Sequence, residues 1–440
     1  MAHKTLIGGA TYNVTSGTSM VSGTAYNIVG GKTLVDGTGY NISFIPPKTA
    51  MLYSDGNFVF QSGNEVATGK TLTASYTDFE DTTKPLWNGN QRSFTSVDFD
   101  VEVTPVNMSY WFYNARNMVA NIDDFNNLNM HNVTNMYMTY MNCWNLTGSP
   151  VCGRNVTDMK YTYYNCRNLR GSPVCGDNVT DISEAYSNCS NLTGSPICGN
   201  HVKYLNWTYC DCNNLTGFPV CGKSVTNMYG TYDGCTNLTG SPVCGNNVTD
   251  MRYTYYNCKN LTGSPVCGNN VTNMHSTYYN CYNLTGSPVC GNNVDNMDYT
   301  YSNCYNLTGS PVCGDNVVNM HHTYYNCKNL TGSPVCGNNV ANMWSTYVNC
   351  SNLTGNVYCY SSLVSNMCNC FYGRNTSNRL NIYVLSGSTT NATIHYNNTA
   401  SLVGAKITWT NAGSYQYNTY YNIYIYPVAN VAAARATNRD

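Results

Sequence analysis

Cysteine is the residue whose type and spacing most directly invite chemistry in this chain. Cysteines stand at 143, 166, 189, 212, 235, 258, 281, 304, 327 and 350, each 23 residues after the last. A second series runs 152, 175, 198, 221, 244, 267, 290, 313, 336 and 359, in the same step. The two series hold 20 of the 23 cysteines, leaving Cys210, Cys368 and Cys370. Two series of equal count invite a disulfide framework, one bridge per unit. The opposing reading is a ladder of buried thiols, since a free cysteine packs as a small hydrophobe and in-register stacking aims neighbouring sulfurs poorly. Metal ligation has less to stand on. Cys210-Asp-Cys212 and Cys368-Asn-Cys370 are Cys-x-Cys pairs and His321-His322 are adjacent, but a structural zinc site needs four convergent ligands. No metal and no cofactor is expected.

Acid–base chemistry is equally thin. Glycan cleavage needs two facing carboxylates, and the glutamates are only Glu65, Glu80, Glu102 and Glu184. Asp123 and Asp124 are neighbours, while Asp298 and Asp315 fall at different places in the 23-residue unit. No nucleophile motif or phosphate loop accompanies them. The chain is expected not to be an enzyme. The many Asn-x-Thr triplets, such as Asn237-Leu-Thr and Asn247-Val-Thr, match a glycosylation acceptor, but Asn and Thr are also what turns and caps require.

The elements that carry these residues follow from the repeat. One unit reads Leu261-Thr-Gly-Ser-Pro-Val266-Cys267-Gly-Asn-Asn-Val271-Thr-Asn-Met274-His-Ser-Thr-Tyr278-Tyr-Asn280-Cys281. Val271, Met274, Tyr278 and Cys281 are spaced 3, 4 and 3, which predicts one face of a short helix. The residue before each such Cys is Asn, or Asp211 and Gly234 in two units, types that tolerate a left-handed backbone, and it is expected to stop that helix. Leu261 to Asn269 reads as a short strand with Leu261 and Val266 inward, interrupted at Pro265, which lacks a donor N–H.

These units resemble the leucine-rich repeats of BspA-like surface proteins. Asn-Val248-Thr-Asp-Met251, Tyr255-Tyr-Asn-Cys258 and the following Leu261 carry the likeness. The resemblance implies a solenoid of about ten coils, each with a short strand and a short helix, over residues 106–373. Met108, Phe112 and Ala115 read as its first cap, and Val364, Met367 and Phe371 as its last.

Three further pieces flank the array. Residues 1–44 repeat every 14 residues through Tyr12-Asn-Val14, Tyr26-Asn-Ile28 and Tyr40-Asn-Ile42, and read as β-hairpins. Residues 45–105 and 374–440 read as a β-rich domain and a small β cap. The Lys4-Thr-Leu-Ile and Lys32-Thr-Leu-Val units resemble leader repeats on virion-associated proteins of phages of gut bacteria. That resemblance implies an anchoring role for residues 1–44, with other virion proteins as partners.

Some positions vary while the rest of the coil does not. The residue after Met, and the one after it, change from unit to unit; the residue after the first-series Cys also drifts, through Trp144, Arg167, Tyr282 and Tyr305. On the first two rows, Tyr229, Arg252, Tyr253, His275, Tyr299, His321, His322 and Trp344 form a candidate binding stripe, rich in the side chains favoured at recognition surfaces. Unselected drift of exposed residues is the competing account.

Composition bounds the partners. Charged residues are 10% and the net charge is −1, which excludes a nucleic-acid footprint by bulk charge; no apolar run reaches membrane-spanning length. The expected function is a virion or tail-associated structural protein displaying a solenoid surface to a host protein or glycan. A secreted bacterial adhesin and a purely architectural particle protein are the alternatives. The β pieces at both ends suit a homo-oligomer.

Overall fold

The computed structural model describes residues 47–361 throughout and most of 363–385 and 423–437. Strand backbone is also described within 3–41, 392–409 and 416–418. In the first of these stretches His3–Ile7, Ala10–Thr15, Thr18–Val21 and Thr24–Asn27 form an antiparallel sheet, and Lys32–Val35 pairs with Thr38–Asn41. The side chains on which anchoring by residues 1–44 depends lie outside the described residues.

Residues 47–105 form a four-stranded sheet in the order Ser96–Phe99, Asn57–Ser62, Lys48–Tyr53, Leu72–Thr77. Its inner face is aromatic. Phe58, Phe60, Phe79, Trp87 and Phe94 are buried together with Trp111 and Phe112 of the first coil in one continuous core. Trp87 Nε1 donates to the Trp111 carbonyl at 2.7 Å, tying the sheet to the array. The domain is therefore a cap, covering apolar surface that the first coil would otherwise expose.

Within the array most of the inward residues are those the spacing identified, but Val266 is not one of them: it is only partly covered, its equivalents Val289 and Val312 are exposed, and the buried residue there is Pro265. Leu261, Val271, Met274, Tyr278 and Cys281 have no exposed surface, and nor do their equivalents in neighbouring coils. Tyr255, Tyr278 and Tyr301 stack face to face with ring centroids 5.5 and 5.4 Å apart. This is a repeat solenoid with ladders of identical side chains.

The expected helix is absent. Thr277, Tyr279 and Cys281 each donate to the residue three before, at Met274, Ser276 and Tyr278. The alternate N–H groups of Met274, Ser276, Tyr278 and Asn280 instead cross to the next coil, at Asn296, Asp298, Thr300 and Ser302. The segment is a staircase of tight turns. Ser276 (φ 54°) and Asn280 (φ 61°) both take the left-handed region, which no α-helix admits. A helix would use every N–H internally; the staircase keeps half for the neighbouring coil, which is how coils without a strand ladder hold together.

The strand half also departs from expectation. Thr262 N–H reaches the Gly240 carbonyl at 2.9 Å, but no ladder forms through Ser264 and Pro265. The inward Tyr takes over. Tyr278 Oη donates to the Val266 carbonyl at 2.6 Å and accepts from Val266 N–H at 3.3 Å. Continuous strands appear toward the end, where Val335–Cys336, Gly355–Cys359, Leu380–Leu385 and Ile423–Val428 run parallel in one sheet. The expected C-terminal β cap thus extends the last coils, and a short helix, Val431–Thr437, follows it.

Candidate binding surface

Cys258, Cys281 and Cys304 are fully buried, and each Sγ donates to the Tyr carbonyl of the preceding coil at 3.0 or 3.1 Å. Burial pushes the Cys258 thiol well above its ordinary range. The second series is only partly covered in most coils, yet burial still pushes Cys244 and Cys290 up to about 12. Such thiols are protonated and poor nucleophiles. Every described cysteine is a free thiol, and among the described residues no group of three or more His, Cys, Asp or Glu is arranged to hold a metal ion.

The variable positions lie on the staircase of turns, and the turns decide how their side chains meet. The residue after Met follows an Asx turn: His275 N–H donates to Asn273 Oδ1, His321 N–H to Asn319 Oδ1, and Arg252 N–H to Asp250 Oδ1. The next residue takes positive φ, as at Tyr253 (57°), Tyr299 (53°) and His322 (50°). That conformation swings these rings against the row beside them. The two rows close into one ribbon across consecutive coils.

Contacts run unbroken along it. Arg252 chelates Asp250 at 2.6 Å and lies 4.8 Å over the Tyr229 ring. Tyr229 meets Tyr253 edge-on at 5.8 Å. Tyr253 Oη is 2.8 Å from His275 Nε2, and His275 Nδ1 is 3.3 Å from Asp298. His321 Nδ1 reaches the other Asp298 oxygen at 2.9 Å. Tyr299 stacks on His322 at 4.7 Å, and His321 on Trp344 at the same separation. All eight residues singled out from the sequence therefore belong to one connected surface. Arg252 and Trp344 are exposed, while the other six are half-buried against each other.

Electrostatics set the hydrogen-bond directions. Asp298 is a carboxylate: burial pushes it up, but the hydrogen bonds from His275 and His321 outweigh this and bring it down to about 2. Asp298 therefore sits between the Nδ1 atoms of His275 and His321, and a hydrogen bond joins Tyr253 Oη to His275 Nε2 on the far side of that ring. Burial, and then the neighbouring His321, lower His322 to about 4, so His322 is neutral at pH 7. His321 Nε2 and His322 Nδ1 are buried without a hydrogen-bond partner.

Sequence reasoning left out two members of the ribbon. Asp298 occupies the same row as His275 and His321, one coil from each. Its place in the period was the available signal. Trp207 lies one row over; its ring fills the space where Gly230 lacks a side chain and stacks on Tyr253 at 6.3 Å. The alternation Trp207, Gly230, Tyr253 in one row is readable in the sequence as bulk, gap, bulk.

Comparisons with known proteins add the following. No curated protein matches this chain. A leucine-rich repeat protein from Bacteroides ovatus ATCC 8483 is similar over 78% of this chain and 88% of its own, at 16% identity and a TM-score of 0.45. A leucine-rich cell surface protein from Faecalibacterium prausnitzii A2-165 is similar over 80% of this chain and 93% of its own, at 14% identity and a TM-score of 0.36. Both are described as leucine-rich, the class that the coil sequence resembles. Residues 92–198, which hold the first coils, match the family described as "Mycoplasma protein of unknown function, DUF285".

Proposed function

We propose that this chain is a non-enzymatic adhesin whose ribbon, from Trp207 to Trp344, grips a glycan on another cell's surface. The observation that carries the reading is the unbroken run of ring and ion-pair contacts from Trp207 through Arg252, Asp298 and His321 to Trp344. The inward positions of the coil repeat their residues; along this ribbon the residues vary and stay in contact. Tyrosine, tryptophan and arginine supply large contact area with few rotatable bonds, and interlocked rings lose little freedom when a ligand arrives. Asp250, Arg252 and Asp298 offer the fixed polar groups that orient hydroxyls.

The scaffold is displayed outside a cell, on an envelope or, as the sequence of residues 1–44 suggests, on a phage particle. Mass spectrometry of purified envelopes and particles separates the two carriers. Self-association through the β pieces at the ends belongs to the same proposal and is read by sedimentation.

The direct test is adsorption of the purified protein to target cells. A Tyr253→Ala, Tyr299→Ala, Trp344→Ala variant should lose at least about tenfold in adsorption, since removal of such anchors typically costs about 2 kcal/mol or more each. Enzymatic deglycosylation of the cells should have the same effect. Loss with the variant but not with deglycosylation makes the receptor a protein. Normal adsorption by a folded variant leaves the solenoid as architecture alone.

A further inference from the structure

A second row of variable residues lies on the other side of the turn staircase, one position after the inward Cys. Read along the array it is Arg116, Trp144, Arg167, Ser190, Asn213, Thr236, Lys259, Tyr282, Tyr305, Lys328 and Ser351. It contains four cations and no carboxylate. Arg116 and Arg167 lie over the Trp144 ring at 4.6 and 5.6 Å. Tyr282 and Tyr305 stack at 5.0 Å, with Lys259 over the first at 6.0 Å and Lys328 over the second at 5.3 Å. All four cations are exposed, and among the described ion pairs none takes part.

We propose that this row is a track for an acidic polysaccharide, a linear glycan carrying sulfate or carboxylate groups, distinct from the aromatic–histidine ribbon. The aromatic rings hold their cations in place, so less side-chain freedom is lost when an anion binds than for loose surface lysines. At about 4.8 Å per coil, Arg116 and Arg167 stand about 10 Å apart and Lys259 and Lys328 about 14 Å apart. A pyranose ring advances a linear glycan by close to one coil, so sugars and coils stay in step along the axis. Beside the row, Asn260, Asn283, Asn306 and Asn329 repeat an exposed amide in each coil for the sugar hydroxyls.

The geometry disfavours other polyanions. Single-stranded nucleic acids need free aromatic faces for base stacking; here the Trp144 faces are taken by guanidiniums, and the Tyr282 and Tyr305 faces by each other and by lysines. An anionic membrane surface calls for a dense cluster of about 4–8 basic residues, and these four are spread in two pairs. The neutral middle of the row, Ser190 to Thr236, has Asp211 and Asp233 close by in sequence. The chain is therefore held at two ends, each contributing separately.

The test is binding of the full chain to dextran sulfate and to uncharged dextran, by calorimetry or immobilised-polymer assay. Wild type should bind only the sulfated polymer. Four ion contacts should weaken that binding on the order of 50-fold between 50 and 200 mM salt. An Arg116→Gln, Arg167→Gln, Lys259→Gln, Lys328→Gln variant should lose at least tenfold, and either pair alone part of it. Lys203→Gln with Lys223→Gln, on other rows, should change nothing, and the Tyr253→Ala, Tyr299→Ala, Trp344→Ala variant should bind dextran sulfate normally even where it fails to adsorb to cells. No binding to dextran sulfate, or equal loss in the Lys203/Lys223 control, overturns the track. Equally tight binding of double-stranded DNA overturns its assignment to glycans.

Discussion

Tyr278 Oη sits between the N–H and the C=O of Val266, twelve residues earlier, donating to one and accepting from the other. The phenol stands where a neighbouring strand would. It crosses the inside of the coil to satisfy the backbone next to Pro265, where no ladder forms in this coil. Tyr163, Tyr186, Tyr209, Tyr232 and Tyr255 hold Val151, Val174, Ile197, Val220 and Val243 in the same way. Tyr324 marks the change of regime: Val312 bridges Val335, Cys313 N–H donates to the Val335 carbonyl, and the Tyr324 hydroxyl is left buried without a partner.

This contrast sets up a pair of substitutions with opposite outcomes. Tyr278→Phe keeps the ring stack and removes only the clamp, so it should destabilise by about 1–3 kcal/mol through the unsatisfied Val266 groups. Tyr324→Phe removes a hydroxyl that bonds to nothing and should be neutral or stabilising. Urea unfolding followed by near-ultraviolet circular dichroism reads both. Equal losses would mean that the hydroxyls matter only through ring packing.

The ladders of inward residues were legible in the sequence because the period repeats without error, and each of Val271, Met274, Tyr278 and Cys281 is where spacing placed it. The helix was not, because i, i+3, i+4 spacing is shared by a helix and by a run of three-residue turns. Ser276 discriminates between them only through its φ, and serine does not advertise a left-handed conformation as Gly230 does at the same position two coils earlier. The ribbon was legible as a set of variable positions. The hub role of Asp298 was not, since a carboxylate is assigned by its neighbours in space, and His275 and His321 are 23 residues away on either side.

Thiol labelling tests the ladders. Burial holds Cys258 and its equivalents protonated and out of reach, while Cys244 and Cys267 are only partly covered. Alkylation of the native protein at pH 8 should therefore show two slow kinetic classes, the partly covered series reacting first, and all sites should react in denaturant. An intact mass lower by about two hydrogens per coil would replace the thiol ladders with a disulfide framework.

The ribbon carries a pH dependence with a definite sign. His322 is held near 4 by burial and by His321, against an ordinary value of 6.5, so its neutral form is favoured on folding. Its contribution is complete above about pH 6.5 and is lost as the pH falls toward 4. Asp298, lowered to about 2, stays charged through that window and loses its contribution only below the ordinary value of 3.8. Asp233 runs the other way: burial, and then Asp211, raise it to about 7, so it opposes folding increasingly as the pH rises from about 4 to 7. A His322→Gln variant should flatten the decline in melting temperature between pH 6.5 and 4, and Asp233→Asn should raise the melting temperature at pH 8. An unchanged profile in both would place the titrating groups elsewhere.

The staircase itself predicts a stabilising change. Ser276 is buried at φ 54°, where a side chain costs about 1–2 kcal/mol. Its N–H reaches the Asp298 carbonyl at 2.8 Å and its own carbonyl accepts from Tyr279, and glycine would retain both bonds. Gly230 already occupies the same position two coils earlier, at φ 62°. Glycine loses more freedom on folding, by about 0.5–1 kcal/mol, so Ser276→Gly should stabilise by roughly 0.5–1 kcal/mol. Ser345→Gly, three coils away at φ 55°, should do the same, and the two should add. Ser276→Val should destabilise, because a β-branched side chain is poorly tolerated at positive φ. The urea midpoint reads all three, and a glycine variant that falls as far as the valine one would return this segment to a helix.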